Sequence, residues 1–162
     1  MHKKVAFIAL IVVLALVNWS IYKKEQQLEN GQVVFLKLAP IDPRSLMQGD
    51  YMALRFEMAQ KIDKTLDENV RSQDGLIVVK LDKKRVGSFA RLYQENETLK
   101  EEEIRLQYRV RNSRVKFATN AFFFEEGTAK KYEKAKYGEF RVNHKGELLL
   151  VAMADENVTV IE

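Results

Sequence analysis

From Val5 to Val17 the chain carries no polar side chain, with Lys3-Lys4 just before the run. Asn18, Trp19, Ser20, Ile21 and Tyr22 follow, and Lys23-Lys24 closes the segment. A helix that is apolar all round has no face to offer water, so it is either enclosed or in lipid. Val5 to Tyr22 is 18 residues, or ~27 Å of helix, close to the hydrocarbon thickness of a bilayer. Trp19 and Tyr22 fall where an interfacial aromatic belt belongs. Residues 1–24 therefore read as an N-terminal transmembrane anchor with basic flanks. The competing reading is a cleaved signal peptide, but no small-x-small site follows the run, and the candidates at Ala15-Leu16-Val17 and Val17-Asn18-Trp19 are poor. His2, the amino terminus and the absence of acids before the helix favour an inside N-terminus. The expected location is thus the cell membrane, single-pass, with the following domain extracytoplasmic.

Residues 25–31 read as a polar linker, and 32–162 as one β-rich domain long enough to bury a core. The chain has no cysteine, which excludes disulfides, thiolate nucleophiles and thiolate metal sites. The net charge is +4, with 27 basic residues scattered among 23 acids, so no nucleic-acid partner is expected. The two histidines, His2 and His144, lie far apart, and no metal or cofactor is expected.

Strands are expected at Gln32 to Leu38, Asp50 to Met58, Leu76 to Asp82 and Arg85 to Tyr93. Ala59 to Gly75 is charged and poorly periodic, and reads as a loop with room for one helical turn. Glu95 to Glu103 reads as a solvated connection. In "IRLQYRV", Ile104, Leu106, Tyr108 and Val110 share one face, while Arg105, Gln107 and Arg109 take the other. Asn112-Ser113 suits a tight turn into Val115 to Thr119. One short soluble helix is expected from Thr128, with Ala129, Tyr132 and Ala135 on its apolar stripe. A hairpin joins Glu139–Asn143 to Glu147–Met153, and Val158 to Ile161 adds a short terminal strand. Strands at this spacing predict a mainly β fold, an antiparallel sandwich or partly open barrel.

"IDPRSLMQG" has the grammar of one helical turn: Asp42 as N-cap, Pro43 at the first position and Gly49 at the end. In the strand that follows, period two places Met52, Leu54, Phe56 and Met58 on one face, with Tyr51, Ala53, Arg55 and Glu57 on the other. Arg44, Asp50, Tyr51 and Arg55 are the candidate polar site at this corner. Turn contacts for Asp50, a pair with Arg44 and packing of Tyr51 over the linker are the purely structural alternative. Phe122, Phe123 and Phe124 are the candidate aromatic interface, with alternation turning Phe123 away from its neighbours.

"APIDPRSLMQGDYMALRF" resembles a bacterial, membrane-anchored family named for its GDYXXLXY signature. Gly49, Asp50, Tyr51 and Leu54 match, while Phe56 stands at the final tyrosine position, keeping the ring without its hydroxyl. "FFFEEGTAKKYEKAKYGEFRV" is similar to the family's second motif, clearest at Glu126 and Gly127. The resemblance implies an extracytoplasmic domain, often encoded beside multi-pass membrane proteins. It implies no established reaction.

The same corner faintly echoes the segment after the nucleophile of type I signal peptidases. That chemistry needs a serine before the proline and a lysine base. Leu36 to Ala39 contains neither serine nor threonine, and Ser45 has no identifiable base. No phosphate-cradling glycine loop is present. No residue is therefore assigned a catalytic role. The expected function is a non-catalytic accessory or binding module, held in lipid by its helix and associating with an integral membrane protein. The alternatives are a hydrolase, either degenerate signal-peptidase-like or using Asp42, Asp50 or Glu57, and a lipid- or carbohydrate-binding module using Phe122 to Phe124. Arg105, Arg109, Arg111 and Arg114 read as a solvated sheet face, with anionic headgroups as a further contact.

Overall fold

The structure, a computed structural model, describes residues 2–39, 47–48, 51–66 and 71–161. Its first element, α1 (His2–Asn30), does not stop where the apolar residues stop. It runs on through the polar stretch read as a linker and reaches the β-domain as a helix. Asn30 ends it and Gly31 turns the chain into β1 (Gln32–Lys37). Gly31 is required by a close approach, because a Cβ there would collide with the Gln27 carbonyl and lie 2.9 Å from the Arg141 Cβ.

The elements that follow are β2 (Met47–Gln48), β3 (Tyr51–Ala53), α2 (Glu57–Asp63), β4 (Ser72–Leu81), β5 (Gly87–Leu92), β6 (Glu103–Arg111) and β7 (Arg114–Lys116). The chain then forms β8 (Ala121–Phe123), α3 (Ala129–Tyr132), β9 (Tyr137–Val142) and β10 (Leu148–Ala154). The strands pair in the orders β1-β9-β10, β2-β3-β8 and β5-β4-β6-β7. A bridge from Phe35 to Val86 joins the first group to the third, and Leu38 to Phe56 ties in the segment after β3. Together they form a curled, mainly antiparallel half-barrel, the partly open barrel expected from the strand spacing.

The core lies on the concave side. Val34 and Leu36 of β1 point inward at period two, as do Ile104, Leu106, Tyr108 and Val110 of β6. Ile77 and Val79 meet them from β4, and Phe140 and Val142 from β9. Phe56 sits between Phe117 and Phe140, with ring centroids 6.1 and 5.4 Å away.

Three local readings are corrected. The strand expected at Asp50 to Met58 ends at Ala53, and α2 begins at Glu57. The inward set survives this change: Met52, Leu54, Phe56 and Met58 are all buried, because a helical turn replaces strand alternation at the point where Met58 and Ile62 share a face. The expected loop up to Gly75 is also shorter. β4 starts at Ser72, where backbone pairing with Arg109 to Arg111 extends the strand without apolar alternation. Finally, the expected terminal strand reduces to a bridge from Ala154 to Val160; the short helix expected from Thr128 is present as a single turn, Ala129–Tyr132.

Candidate functional site

The two sequence motifs at the heart of the resemblance lie side by side. β3 pairs antiparallel with β8, setting Tyr51 opposite Phe123, Met52 opposite Phe122 and Ala53 opposite Ala121. Cross-strand neighbours on one face stand close enough for their rings to touch. The Tyr51 and Phe123 rings are 5.8 Å apart at an interplanar angle of 42°. Alternation does turn Phe123 away from its neighbours, leaving it 74 % exposed. Phe122 and Phe124 pack instead on Tyr132 of α3, at 5.1 and 5.2 Å between centroids. Of the aromatic triplet, two rings close the core and one is presented.

Of the four polar candidates, only Tyr51 and Arg55 lie among the described residues. Arg44 and Asp50 lie outside them, as do Asp42, Pro43, Ser45 and Gly49. Tyr51 joins the aromatic pair, whereas Arg55 is exposed and lines a separate cleft of about 680 Å³. Buried Leu54, Phe56, Val115 and Phe117 form its apolar floor, and Arg55, Arg114 and Lys116 its cationic rim. Among the described residues, none of those three side chains joins an ion pair or side-chain hydrogen bond. Asp63 also lines the cleft, but its carboxylate accepts the Val115 amide hydrogen at 3.0 Å and so holds α2 against β7. The arrangement suits an anionic group attached to an apolar body. In the sequence Arg114 belongs to the basic sheet face with Arg105, Arg109 and Arg111, and Lys116 carries no signal of its own. The neighbours Asn112 and Ser113, both at positive φ, fold Arg114 and Lys116 back towards α2.

The other arginines of that expected solvated face have internal work. Arg105 donates twice to the His144 carbonyl, at 2.6 and 3.1 Å, and Arg109 once to the Ala118 carbonyl at 2.7 Å. Arg111 pairs with Asp74 at 2.6 Å, a hydrogen bond that lowers the Asp74 pKa and raises that of Arg111. In the acidic connection, Arg91 grips both oxygens of Glu103 at 2.8 and 3.1 Å, and Glu97 at 3.0 Å. The Arg91 bond, followed by the Lys100 amide, holds the Glu103 carboxyl down at about 2. Two of the acids read as solvated are therefore a clamp on the β5–β6 connection.

The domain also grips α1. Gln27 is 4 % exposed, and its amide nitrogen donates to the carbonyls of Arg141 at 3.0 Å and Glu147 at 2.8 Å. A buried side-chain amide with both hydrogens used is a positioning device. The described part of α1 before it is long and apolar enough to cross a membrane, and none of that apolar window is covered by the chain.

No curated protein and no solved structure matches the chain. The family described as GDYXXLXY protein matches residues 13–153, spanning the end of the apolar helix, the Tyr51–Phe123 pairing and the Arg55 cleft. By that match, the chain belongs to the GDYXXLXY family.

Proposed function

We propose that this chain is a non-catalytic, membrane-anchored module with its N-terminus inside and its β-domain extracytoplasmic, and that it associates with an integral membrane protein. The observation that carries the reading is the uncovered apolar helix, fixed by Gln27 to a folded domain. Apolar surface on that scale needs a cover from outside the chain, and lipid is the cover its length fits. The Arg55–Arg114–Lys116 rim and the presented Phe123 supply charge and an aromatic anchor for an acidic, partly apolar partner segment.

The anchor is tested by alkaline carbonate extraction and by protease access from each side of sealed vesicles. The partner is tested with a photo-crosslinking residue at Phe123 or Arg55, and at Lys83 as a remote control. Crosslinks from the first two positions to one multi-pass membrane protein support the reading. A monomeric protein giving no crosslink, or equal crosslinks from Lys83, refutes it. The Tyr51–Phe123 pair favours a second reading, stacking on a sugar ring. Glycan-array binding that disappears in Phe123→Ala would replace the protein partner with a carbohydrate.

A further inference from the structure

Where α1 meets the β-domain, a cavity of about 870 Å³ opens between them. One wall belongs to the helix and carries Trp19, Tyr22, Lys23 and Lys24; the other carries Arg105 and Lys145. We infer that this cavity binds a phosphate-bearing group, the kind of anion an acidic phospholipid presents. The inference rests on the reading of α1 as a membrane anchor.

Three observations lead there. First, the charge is unbalanced in favour of cations. Lys23, Lys24, Arg105 and Lys145 face the cavity, and the two acids lining it, Glu103 and Glu147, are already engaged. Glu103 is held by Arg91, and Glu147 accepts the Asn143 side-chain amide at 2.7 Å. Second, the cations retain donors. Arg105 spends two of its five N–H groups on the His144 carbonyl. Lys24 spends one on Gln27 at 3.3 Å, and the Lys145 ammonium has no hydrogen bond or ion pair among the described residues. Lys23 lies over the Trp19 ring, 5.5 Å from its centroid.

Third, the cavity begins where the apolar surface ends. Tyr22 is the last residue of the apolar segment, and Trp19 to Gln27 is ~12 Å of helix, enough to cover the headgroup layer. Because Gln27 pins the helix to the Arg141 carbonyl of β9 and the Glu147 carbonyl before β10, the walls face each other at a fixed separation. A mobile linker would leave the lysines of α1 and the domain's Arg105 and Lys145 as two separate patches. Here they converge on one space.

The test uses the full chain in nanodiscs of phosphatidylcholine, with and without phosphatidylglycerol. After release into detergent, native mass spectrometry counts the lipid retained on each protein. The expected result is selective retention of phosphatidylglycerol, falling by at least about tenfold in Lys24→Glu/Lys145→Glu. Lys83→Glu/Lys84→Glu, with the same change in net charge at a distant turn, is expected to retain it. If both double variants lose the lipid equally, or neither does, the cavity is not the site and the inference fails. Displacement of the lipid by inorganic phosphate at low concentration assigns the same site to a soluble phosphate. Failure of the wild-type chain to enter nanodiscs overturns the anchor reading and this one with it, whereas insertion without selectivity overturns this one alone.

Discussion

Replacing Gln27 with methionine keeps the length of the side chain but removes both amide hydrogens. In the native chain the amide nitrogen that carries them lies 3.0 and 2.8 Å from the carbonyl oxygens of Arg141 in β9 and Glu147 just before β10. Each such bond contributes about 1 kcal/mol net, so the helix end loses about 2 kcal/mol of attachment, or ~30-fold in the local opening equilibrium. The loss is local, because the core of the half-barrel does not pass through Gln27. Amide hydrogen exchange of the full chain in detergent reads this directly at residues 27–31, including the Gly31 amide bonded to the Gln27 carbonyl. Protection there is expected to fall ~30-fold in Gln27→Met while β4 and β6 are unaffected. Gln27→Glu is expected to be worse, by about 3 kcal/mol or more, because a carboxylate then faces two carbonyl oxygens with nothing to donate. Lowering the pH protonates that carboxyl, returns one donor and recovers part of the loss. Wild-type protection in Gln27→Met, or equal protection in the two variants across pH, would refute the account.

Phe56→Ala, at a side chain 4 % exposed between two rings, is expected to destabilise by about 3–5 kcal/mol; Phe123→Ala is expected to change stability by less than about 0.5 kcal/mol. Urea denaturation separates these outcomes. The Glu103 carboxyl is expected to titrate near 2 by NMR, and to rise towards its ordinary value of 4.5 in Arg91→Gln. Because its folded pKa is depressed, the clamp's stabilisation is complete above about 4.5 and is lost as pH falls towards about 2; the variant's stability is expected to be flatter across that window. Ser113→Gly, at a φ of 56° in the β6–β7 turn, is expected to stabilise by about 0.5–1 kcal/mol, seen as a higher Tm.

What could be read from the sequence follows from what each segment buries. β6 buries one face against the core and exposes the other, so its alternation was plain from Ile104 to Val110. Asn112-Ser113 was legible because the turn demands two left-handed residues, which asparagine tolerates well. α2 was not legible, since Met58 and Ile62 are its buried pair amid charged neighbours, and their spacing also fits the end of a strand. The start of β4 was hidden for a related reason: Ser72 to Asp74 are exposed, and only backbone pairing keeps them extended. The candidate site was legible in its parts. Tyr51 and Phe123 were both singled out, but their pairing is a long-range contact that neither neighbourhood encodes. The Arg55 cleft likewise draws its cations from two distant segments, and the register of β6 with β7 decides that they meet.

The continuity of α1 into the β-domain has a mechanical consequence. With no slack between Tyr22 and the Gln27 pin, the azimuth of the helix and the heading of the domain become a single variable. One residue inserted between them would swing the domain by about 100° around the helix axis. Four would return it to within about 40° while raising it by about 6 Å. A ladder of such insertions would separate a role that depends on compass direction from one that depends only on height.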